Sequence, residues 1–245
     1  MEFNVDIIKR KIEEVDSIIF DLDGTLIDTE KLYLRFWCEA SKYYGYELTK
    51  EQGLGLRSRE RLSGKEYLTY VSGGILDYDL TRNKRIELMN EYLKDHDIEI
   101  KEGAVELLTY LKDKNKKLYI VSANTIEKST NILTKLNLIQ FFDGIISAKN
   151  SKRGKPFPDP FLDALILIKK KPEEVIVFED SPNGLLSSSR AGCFTVMVED
   201  LTPYTSDMSY VDGAISSLKS LLQYLSKINP YAKKRNILNV YFCLL

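Results

Sequence analysis

The amino-acid sequence predicts an α/β fold in which a parallel sheet carries an inserted domain made only of helices. Short apolar runs alternate with helical patterns, which is typical of a parallel sheet. Between the first and second apolar runs, residues 29–98 show helical patterns that no strong strand signal interrupts, which predicts the insertion. Polar residues that can do chemistry follow the apolar runs, at the positions where ligands bind in such sheets.

The predicted core consists of residues 1–27 and 99–228, and the inserted helical domain spans residues 28–98. Its strands are expected at about 17–21, 117–122, 143–147, 174–179 and 194–198, with a last strand at 210–215. Helical patterns follow these strands at 103–115, 125–136, 159–169, 183–191 and 216–227. Because parallel strands need long crossover connections, this order of elements agrees with one parallel sheet.

The insertion is expected to contain four helices, at 29–44, 50–53, 65–72 and 80–95. Its connections to the core, and therefore its hinges, fall near 27–29 and 98–102. After the last predicted core helix, a C-terminal extension of residues 229–245 ends in an apolar run at 240–245. This extension is compatible with an added strand, a packing arm or a dimer contact, and the sequence leaves these three alternatives open.

Composition and charge are typical of a soluble globular protein. Of the 245 residues, 44% are hydrophobic and 29% are charged, and 35 basic residues against 36 acidic ones give a net charge of -1. This balance predicts neither a nucleic-acid nor a membrane partner, and no apolar run is long enough to span a bilayer. The expected partner is therefore a small molecule, bound by a monomer or homodimer. Cys38, Cys193 and Cys243 are scattered, which predicts reduced thiols in a cytoplasmic protein.

The first apolar run, residues 18–20, leads directly into Asp21 and Asp23 and then into a Gly-Thr turn. A dry carboxylate is costly unless it is paired or bound to a cation, so stability alone does not explain two acids at this strand end. Their i, i+2 spacing points both side chains the same way along an extended chain, and Gly24 lets the backbone turn sharply. One acid can attack a substrate while the other moves protons, and a divalent cation can hold the pair together.

Three further motifs follow along the chain. The second predicted strand ends at Ser122, a small hydroxyl residue before a helical pattern. Lys155 lies in a loop that carries prolines at 156, 158 and 160. The strand at 174–179 ends in two more acids, Glu179 and Asp180, and a turn follows them. Because most of these residues fall at or just beyond strand ends, they predict one shared site at the carboxyl edge of the sheet.

These four motifs, in this order, resemble those of the haloacid dehalogenase-like (HAD) hydrolase superfamily. The match is closest to its subfamily with a helical cap, which is similar to beta-phosphoglucomutase and to small-metabolite phosphatases. The resemblance covers roughly residues 15–225. It implies a Rossmann-like core sheet, identifies the helical insertion as a cap that closes over the site, and implies Mg²⁺ as the cofactor.

The resemblance also implies a role for each residue at the strand ends. Asp21 is expected to attack phosphorus as the nucleophile, and Asp23 is expected to act as the general acid and base. Ser122 and Lys155 are expected to bind the transferring phosphoryl group, where positioning and charge stabilisation dominate the chemistry. Backbone amides are expected to bind the same group, at Leu22, Asp23, Ala123 and Asn124.

The same resemblance implies a Mg²⁺ site on the Asp21 side chain, the Asp23 backbone carbonyl and Asp180, because Mg²⁺ prefers oxygen ligands. Glu179 is expected to bind the ion either directly or through water. The cap carries a basic cluster, made of Arg57, Arg59, Arg61 and Lys65. Arg59 is expected to bind a second anionic group or sugar hydroxyls, although a run of charges is more often a solvated face.

Within this superfamily, Asp23 argues against the dehalogenases, which lack an acid at its position. The mutases share every motif, but they usually carry a histidine where this chain has Tyr33 and a cap lysine near Gly55, while Thr25 is typical of phosphatases. The sequence therefore predicts a Mg²⁺-dependent phosphatase of a small phosphorylated metabolite, expected to be a sugar or polyol phosphate. The alternatives are a hexose-phosphate mutase of the beta-phosphoglucomutase type and a nucleotide or pyrophosphate phosphohydrolase.

Overall fold

A computed structural model describes residues 5–227, except 58, 60, 202, 204, 206 and 207, so the predicted C-terminal extension and Cys243 lie outside the described residues. The strands form one parallel sheet and are, in chain order, β1 (Ser17–Phe20), β2 (Lys117–Ser122), β3 (Gly144–Ser147), β4 (Val175–Glu179), β5 (Phe194–Val198) and β6 (Gly213–Ile215). Their order across the sheet is β3-β2-β1-β4-β5-β6, which is the Rossmann-type order and confirms the predicted fold class.

In the part of the chain that the structure describes, helices alternate with the strands as far as β5, apart from the five helices between β1 and β2, of which the first four belong to the predicted insertion. In chain order the helices are α1 (Val5–Glu14), α2 (Thr29–Tyr43), α3 (Lys50–Leu54), α4 (Arg61–Val71), α5 (Tyr78–Asp95), α6 (Ala104–Asp113), α7 (Ile126–Lys135), α8 (Asp159–Ile168), α9 (Pro182–Arg190) and α10 (Leu218–Lys227). Among the described residues, none of these helices combines the length and the apolar character that a membrane crossing requires.

Strand β1 lies at the centre of the sheet because it is apolar on both faces. Ile19 and Phe20 are fully buried, as parallel strands covered on both faces require. In the ladder, Phe20 pairs with Ile120 of β2 on one side and with Phe178 of β4 on the other. The rings of Phe20 and Phe178 stack with their centroids 5.1 Å apart. The residues that follow β1, β2 and β4 therefore meet at one edge of the sheet, at the point where the strand order reverses.

The two predicted hinges run side by side at the edge of this sheet. Ile27 and Ile100 form an antiparallel bridge, and the Asp28 amide donates a hydrogen bond of 2.8 Å to the Glu99 carbonyl. These contacts join the chain entering α2 to the chain leaving α5. The role of these segments as hinges and the division into a core and a cap domain stay predictions.

Helices α2 to α5 pack around an apolar cluster of their own. Its buried members are Trp37, Leu48, Leu56, Leu68, Leu76 and Tyr78. Helix α4 begins at Arg61, four residues before the predicted start at Lys65. The prediction treated Gly64 as outside the helix, whereas the structure places it inside, against the Tyr78 ring. A Cβ at this position would lie 2.9 Å from that ring.

The last strand is shorter than predicted, because it begins at Gly213 and not at residue 210. Asp212 accounts for the difference. Its amide donates to the Thr195 carbonyl at 2.8 Å, and its carboxylate accepts from the Thr195 amide, also at 2.8 Å. The Asp212 side chain thus accepts the hydrogen bond that the Thr195 amide would have donated to a longer β6. The chain then bends before β6 begins.

Candidate active site

Lys155 connects the ends of three neighbouring strands. Its Nζ atom donates hydrogen bonds to Asp21 Oδ1 at 2.6 Å, to Glu179 Oε1 at 2.8 Å and to the Val121 carbonyl at 3.0 Å. Asp21 directly follows β1, and its amide continues the ladder by donating to the Phe178 carbonyl at 2.9 Å. The structure therefore brings together Asp21, Lys155 and Glu179, which are far apart in the sequence.

Burial and charge oppose each other in this cluster. Burial raises the pKa of the Asp21 carboxyl well above its usual range, and Glu179 and Asp23 add to the rise, while Lys155 opposes it. Burial disfavours the charged form of Lys155, but the Asp21 and Glu179 carboxylates raise the pKa of the ammonium above its usual range. Lys155 therefore stays charged, and it is the cation that favours the ionised form of Asp21 that a nucleophile requires.

The Asp23 carboxylate is held at both oxygens. Thr29 Oγ1 donates to Asp23 Oδ1 at 2.7 Å, and Asn124 Nδ2 donates to Asp23 Oδ2 at 2.6 Å. Thr29 is the first residue of α2, and Asn124 lies between β2 and α7, so this carboxylate connects two elements. The sequence predicted Asn124 as a backbone contact for the substrate, whereas its side chain orients Asp23.

Hydrogen bonds from within the loop and from β3 hold the predicted phosphoryl-binding loop after β2 in place. Ser122 is fully buried, and its Oγ accepts a hydrogen bond of 3.0 Å from the Asn124 amide. Ser147 Oγ fixes the same loop by donating to the Asn124 carbonyl at 2.6 Å. Ala123 is exposed and lines the cavity in front of Asp21. Neither Ser122 nor the fully buried Leu22 is among the residues that line this cavity, so their phosphoryl contacts stay predictions.

Glu179 is enclosed by the start of α9. Its Oε2 accepts hydrogen bonds from the Ser181 amide at 2.7 Å and from Ser181 Oγ at 3.1 Å, while Oε1 accepts from Lys155. Gly184 makes room for this carboxylate, since a Cβ there would lie 1.5 Å from Glu179 Oε1. Both oxygens of Glu179 therefore have partners within the protein, and its direct or water-mediated role at a metal site stays a prediction.

Asp180 lies beside a cationic side chain from the predicted cap. Arg57 Nη2 contacts Asp180 Oδ2, and Arg57 Nε lies 3.1 Å from Glu30 Oε2. Thr25 Oγ1 donates to Asp180 Oδ1 at 3.1 Å. Burial raises the pKa of Asp180 well above its usual range, and Glu179 adds to the rise, whereas Arg57 opposes it. Gly24 has a φ of +88°, and a Cβ there would lie 2.2 Å from Asp180 Oδ2, which explains why glycine stands at this turn.

The oxygen atoms at this edge fit a Mg²⁺ ion. Within the described part of the chain, no three acidic, histidine or cysteine side chains form a preformed metal cluster. However, burial raises the pKa of both Asp21 and Asp180, and Asp21 adds to the rise at Asp180, so a cation shared by the two carboxylates would offset part of the cost of burying their charges. Two carboxylates and a backbone carbonyl suit Mg²⁺, which retains several waters and seldom uses an all-protein cage.

Two adjoining cavities open in front of these residues. The reaction cavity, about 480 Å³, is lined by Asp21, Asp23 and Lys155. The distal cavity, about 630 Å³, lies between helices of the predicted cap and the start of α7. Both volumes are in the range of small-molecule sites. The residues that line both cavities are Glu30, Tyr33, Arg59, Ala123, Asn124 and Lys149.

Arg59 lies at the junction of the two cavities, as its predicted contact with substrate requires. Its guanidinium carbon is 4.4 Å from the centroid of the Tyr67 ring, and its Nε donates to the Gly55 carbonyl. Arg61, from the same basic cluster, is exposed and pairs with Asp79 at 2.9 Å, in agreement with a solvated face.

Sequence reasoning missed three residues of this site. Thr29 and Gly184 were not singled out, and Arg57 was given less weight than Arg59. A signal existed for Thr29, because it follows Asp28 at the start of a helical pattern, where hydroxyl groups are common. No local signal marks Arg57, because its partners Asp180 and Asp200 are more than 120 residues away in sequence.

Comparisons with known proteins agree with the fold and show the family. A family model described as haloacid dehalogenase-like hydrolase matches residues 18–198. The chain is 28% identical to the phosphorylated carbohydrates phosphatase of Thermotoga maritima, over 73% of this chain and 82% of that protein. It is also 28% identical to the pyrophosphatase PpaX of Bacillus mycoides, over 88% of this chain and 99% of that protein.

A solved structure shows the same fold. The beta-phosphoglucomutase of Clostridium difficile superposes with a TM-score of 0.68 at 23% identity, covering 87% of this chain and 96% of that one. The family match spans the first strand, both acidic motifs and the lysine loop. The chain described here therefore belongs to the haloacid dehalogenase-like hydrolase family.

Proposed function

We propose that this protein is a Mg²⁺-dependent phosphatase of a small phosphorylated metabolite, a sugar or polyol phosphate, and that it works through an aspartyl-phosphate on Asp21. The observation that carries this proposal is the position of Lys155, bonded to Asp21 and Glu179 at the end of β1. It places a buried cation beside the attacking carboxylate, where negative charge accumulates during phosphoryl transfer. The related phosphatase of phosphorylated carbohydrates supports the substrate class.

In the first half-reaction, an Asp21 carboxylate oxygen attacks phosphorus. The bond between phosphorus and the ester oxygen breaks, and the Asp23 carboxyl group gives its proton to that oxygen, so that an alcohol leaves. Thr29 and Asn124 orient Asp23 for this transfer. Lys155 Nζ, bonded to Asp21, stabilises the negative charge that the phosphoryl group brings into the cavity.

In the second half-reaction, the Asp23 carboxylate takes a proton from water as the water oxygen attacks phosphorus. The bond between phosphorus and Asp21 breaks, phosphate leaves, and Asp21 is again a free carboxylate. Asp23 is protonated once more and ready for the next substrate. The same residue acts first as acid and then as base, so both half-reactions depend on the bonds that hold it.

Mg²⁺ would be held by the Asp21 and Asp180 carboxylates and the Asp23 carbonyl, with Glu179 supporting the site through Lys155. When bound, the ion would supply positive charge that stabilises the negative charge of phosphoryl transfer. Gly24 brings the backbone of the turn against Asp180, and so keeps the two acidic motifs together.

Tyr33 favours hydrolysis over the mutase alternative. It lines both cavities, and burial together with the nearby Asp23 raises the pKa of its hydroxyl well above the usual range. The side chain therefore remains neutral at physiological pH and cannot exchange protons there as a histidine would. The mutase and the nucleotide or pyrophosphate phosphohydrolase remain the alternatives that the assay must separate.

The deciding experiment measures phosphate release from a panel of sugar, polyol and nucleotide phosphates and pyrophosphate, with MgCl₂ and with EDTA. We expect Mg²⁺-dependent release from a sugar or polyol phosphate. The Asp21→Asn variant is expected to lose turnover and to keep its fold. If no substrate of the panel releases phosphate and a hexose 1-phosphate is isomerised in a coupled assay, the mutase function would replace this proposal.

Asp16→Asn is the matched control for Asp21→Asn. Asp16 lies at the opposite end of β1, and its side chain is 60% exposed. The same chemical change there is expected to leave turnover unchanged. Substantial activity in Asp21→Asn would show that Asp21 is not the nucleophile.

A further inference from the structure

The distal cavity carries an excess of positive charge. Among the described residues, its lining includes one acidic residue, Glu30, which lies 3.1 Å from Arg57 Nε. The remaining basic residues of the lining come from α5, α7, the loop after α3 and the loop after β3. They are Arg59, Arg82, Arg85, Lys128 and Lys149.

The cations on α5 and α7 have no acidic counterpart in the described residues. No carboxylate there lies within 4.0 Å of the basic groups of Arg82, Arg85 or Lys128. By contrast, Lys84, which also belongs to α5, lies outside the cavity lining and pairs with Glu87 at 2.6 Å. Lys84 is thus paired with a carboxylate, whereas Arg82, Arg85 and Lys128 remain available to bind an anionic ligand.

These cations also repel one another. Burial lowers the pKa of the Lys128 ammonium; Asp23 opposes this, while Lys149, Arg85 and Arg82 lower the pKa further. Arg85 is half-buried, while Arg82 and Lys128 are exposed, and like charges that converge on one cavity cost free energy unless an opposite charge joins them. A bound anion would offset this cost, so the arrangement points to a ligand and not to a stabilising surface network.

Arg85 is positioned by aromatic rings and not by an ion pair. Its guanidinium carbon lies 4.8 Å from the Tyr33 ring centroid and 5.2 Å from that of Trp37. Stacking engages the face of the guanidinium and leaves its N–H edge for other partners. Its Nε is buried and has no hydrogen-bond partner among the described residues. A planar anion such as a carboxylate, or a phosphate, matches such an edge.

The distal cavity continues the space in front of the nucleophile. Tyr33, Asn124 and Lys149 line both cavities, whereas Arg82, Arg85 and Lys128 do not line the reaction cavity. A substrate whose phosphoryl group faces Asp21 can therefore extend past Tyr33, with its far end among the distal cations.

We propose that the cations of the distal cavity bind a second anionic group of the substrate, so that the preferred substrate is a phosphate ester with a phosphate or carboxylate at its far end. This inference rests on the proposed phosphatase function and refines its substrate class. Arg82, Arg85 and Lys128 are its specificity-determining residues, and the reacting phosphoryl group remains with Asp21 and Lys155.

The test compares substrates that differ only in the second anion. The carboxylate arm compares 6-phosphogluconate with glucitol 6-phosphate, and the phosphate arm compares fructose 1,6-bisphosphate with fructose 6-phosphate. For each pair, we measure the ratio of kcat/KM for the substrate that carries the second anion to kcat/KM for the partner that lacks it. We expect a ratio of about 10 to 100 in at least one arm, because a charge-assisted hydrogen bond contributes up to about a hundredfold in binding.

The double variant Arg82→Ala/Lys128→Ala is expected to lower that ratio about tenfold or more, mainly through KM. Both side chains are exposed enough that their truncation is compatible with folding. Lys84→Ala is the matched control, because it removes one positive charge from α5 outside the cavity. It is expected to keep the wild-type ratio. A ratio near one in both arms, or a ratio that the double variant leaves unchanged, overturns the inference.

A binding measurement separates this inference from the proposed function. Calorimetric titration of Asp21→Asn with fructose 1,6-bisphosphate and with 6-phosphogluconate, in MgCl₂, reports affinity without turnover. Weaker binding on adding Arg82→Ala, but not on adding Lys84→Ala, supports the second-anion site even if no phosphate is released from any substrate. If the enzyme hydrolyses only sugar phosphates that lack a second anion, and shows no such binding, the phosphatase proposal stands and the second-anion site is overturned.

Discussion

Lys155 Nζ lies 2.6 Å from Asp21 Oδ1, and each of the two side chains is only 9% exposed. Glu179 Oε1 is 2.8 Å from the same ammonium, so one cation serves two buried carboxylates. Removing one partner of a buried ion pair leaves an uncompensated charge, and the loss is larger than the net contribution of the pair. We therefore expect Lys155 to contribute to both stability and catalysis.

Lys155→Ala is expected to lower turnover by about 100- to 1,000-fold, because a preorganised charge next to the reacting group is lost. It is also expected to destabilise the protein by about 3–5 kcal/mol, since two buried carboxylates lose their cation. Phosphate release and urea denaturation measure the two effects. Lys152→Ala changes an exposed lysine of the same loop and is expected to alter neither. Equal behaviour of the two variants would contradict the role given to Lys155.

Gly184→Ala tests whether the start of α9 holds Glu179. The added Cβ would lie 1.5 Å from Glu179 Oε1, so the carboxylate must leave its place beside Lys155. We expect a loss of about 1–3 kcal/mol in stability from overpacking, together with reduced turnover. Gly154→Ala is the control for stability, because nothing lies within 4 Å of a Cβ there. A Gly184→Ala protein as stable and active as wild type would show that Glu179 can shift without consequence.

Glu30 is expected to make the free energy of unfolding depend on pH between about 4.5 and 7. Burial raises the pKa of its carboxyl from 4.5 to about 7, although Arg57 opposes the rise. Between these values the folded protein binds a proton that the unfolded chain releases, so the contribution to stability declines as the pH rises from about 4.5 to 7. The decline amounts to at most about 3 kcal/mol, at 1.36 kcal/mol per pKa unit.

Urea denaturation of Glu30→Gln in EDTA, at steps between pH 4.5 and 7, checks this window. The variant is expected to have a flatter pH dependence of unfolding free energy than the wild type. Glu39→Gln, an exposed change on the same helix, is expected to keep the wild-type slope. An identical slope in all three proteins would mean that Glu30 titrates normally in the folded state.

Mg²⁺ is expected to raise the thermal midpoint of the wild-type protein, since a ligand that binds only the folded state stabilises it, by about 2.7 kcal/mol at a hundredfold excess over Kd. Asp180→Asn is expected to lose most of this shift, because Asp180 is a proposed ligand that lies near Asp21. Asp16→Asn, at the far end of β1, is expected to retain the shift. Thermal denaturation with MgCl₂ and with EDTA measures it, and an undiminished shift in Asp180→Asn would exclude that residue as a ligand.

Much of the sheet was predictable because its signals are local. Five strands lie within one residue of their predicted bounds, since a buried strand needs only a short apolar run between turns. The start of α4 and the length of β6 were not predictable in the same way. Gly64 is tolerated in α4 because the Tyr78 ring lies against it, and β6 is shortened because Asp212 bonds Thr195. Both depend on contacts between separate elements.

The sequence by itself determined the order of elements and the strand-end residues Asp21, Asp23 and Glu179, because a polar group after an apolar strand is a local pattern and parallel strands end at one edge. Lys155 lies in the loop after β3, and its Pro-rich motif and the family resemblance identified it. Only the tertiary structure decided what surrounds them. Arg57 contacts Asp180, and cations of α5 line the same cavity as Lys128 of α7. Both arrangements depend on how separate elements pack, and short-range sequence patterns do not specify which faces lie against each other. We therefore expect the reaction chemistry to depend on residues at the strand ends, and substrate choice to depend on how separate helices enclose one cavity.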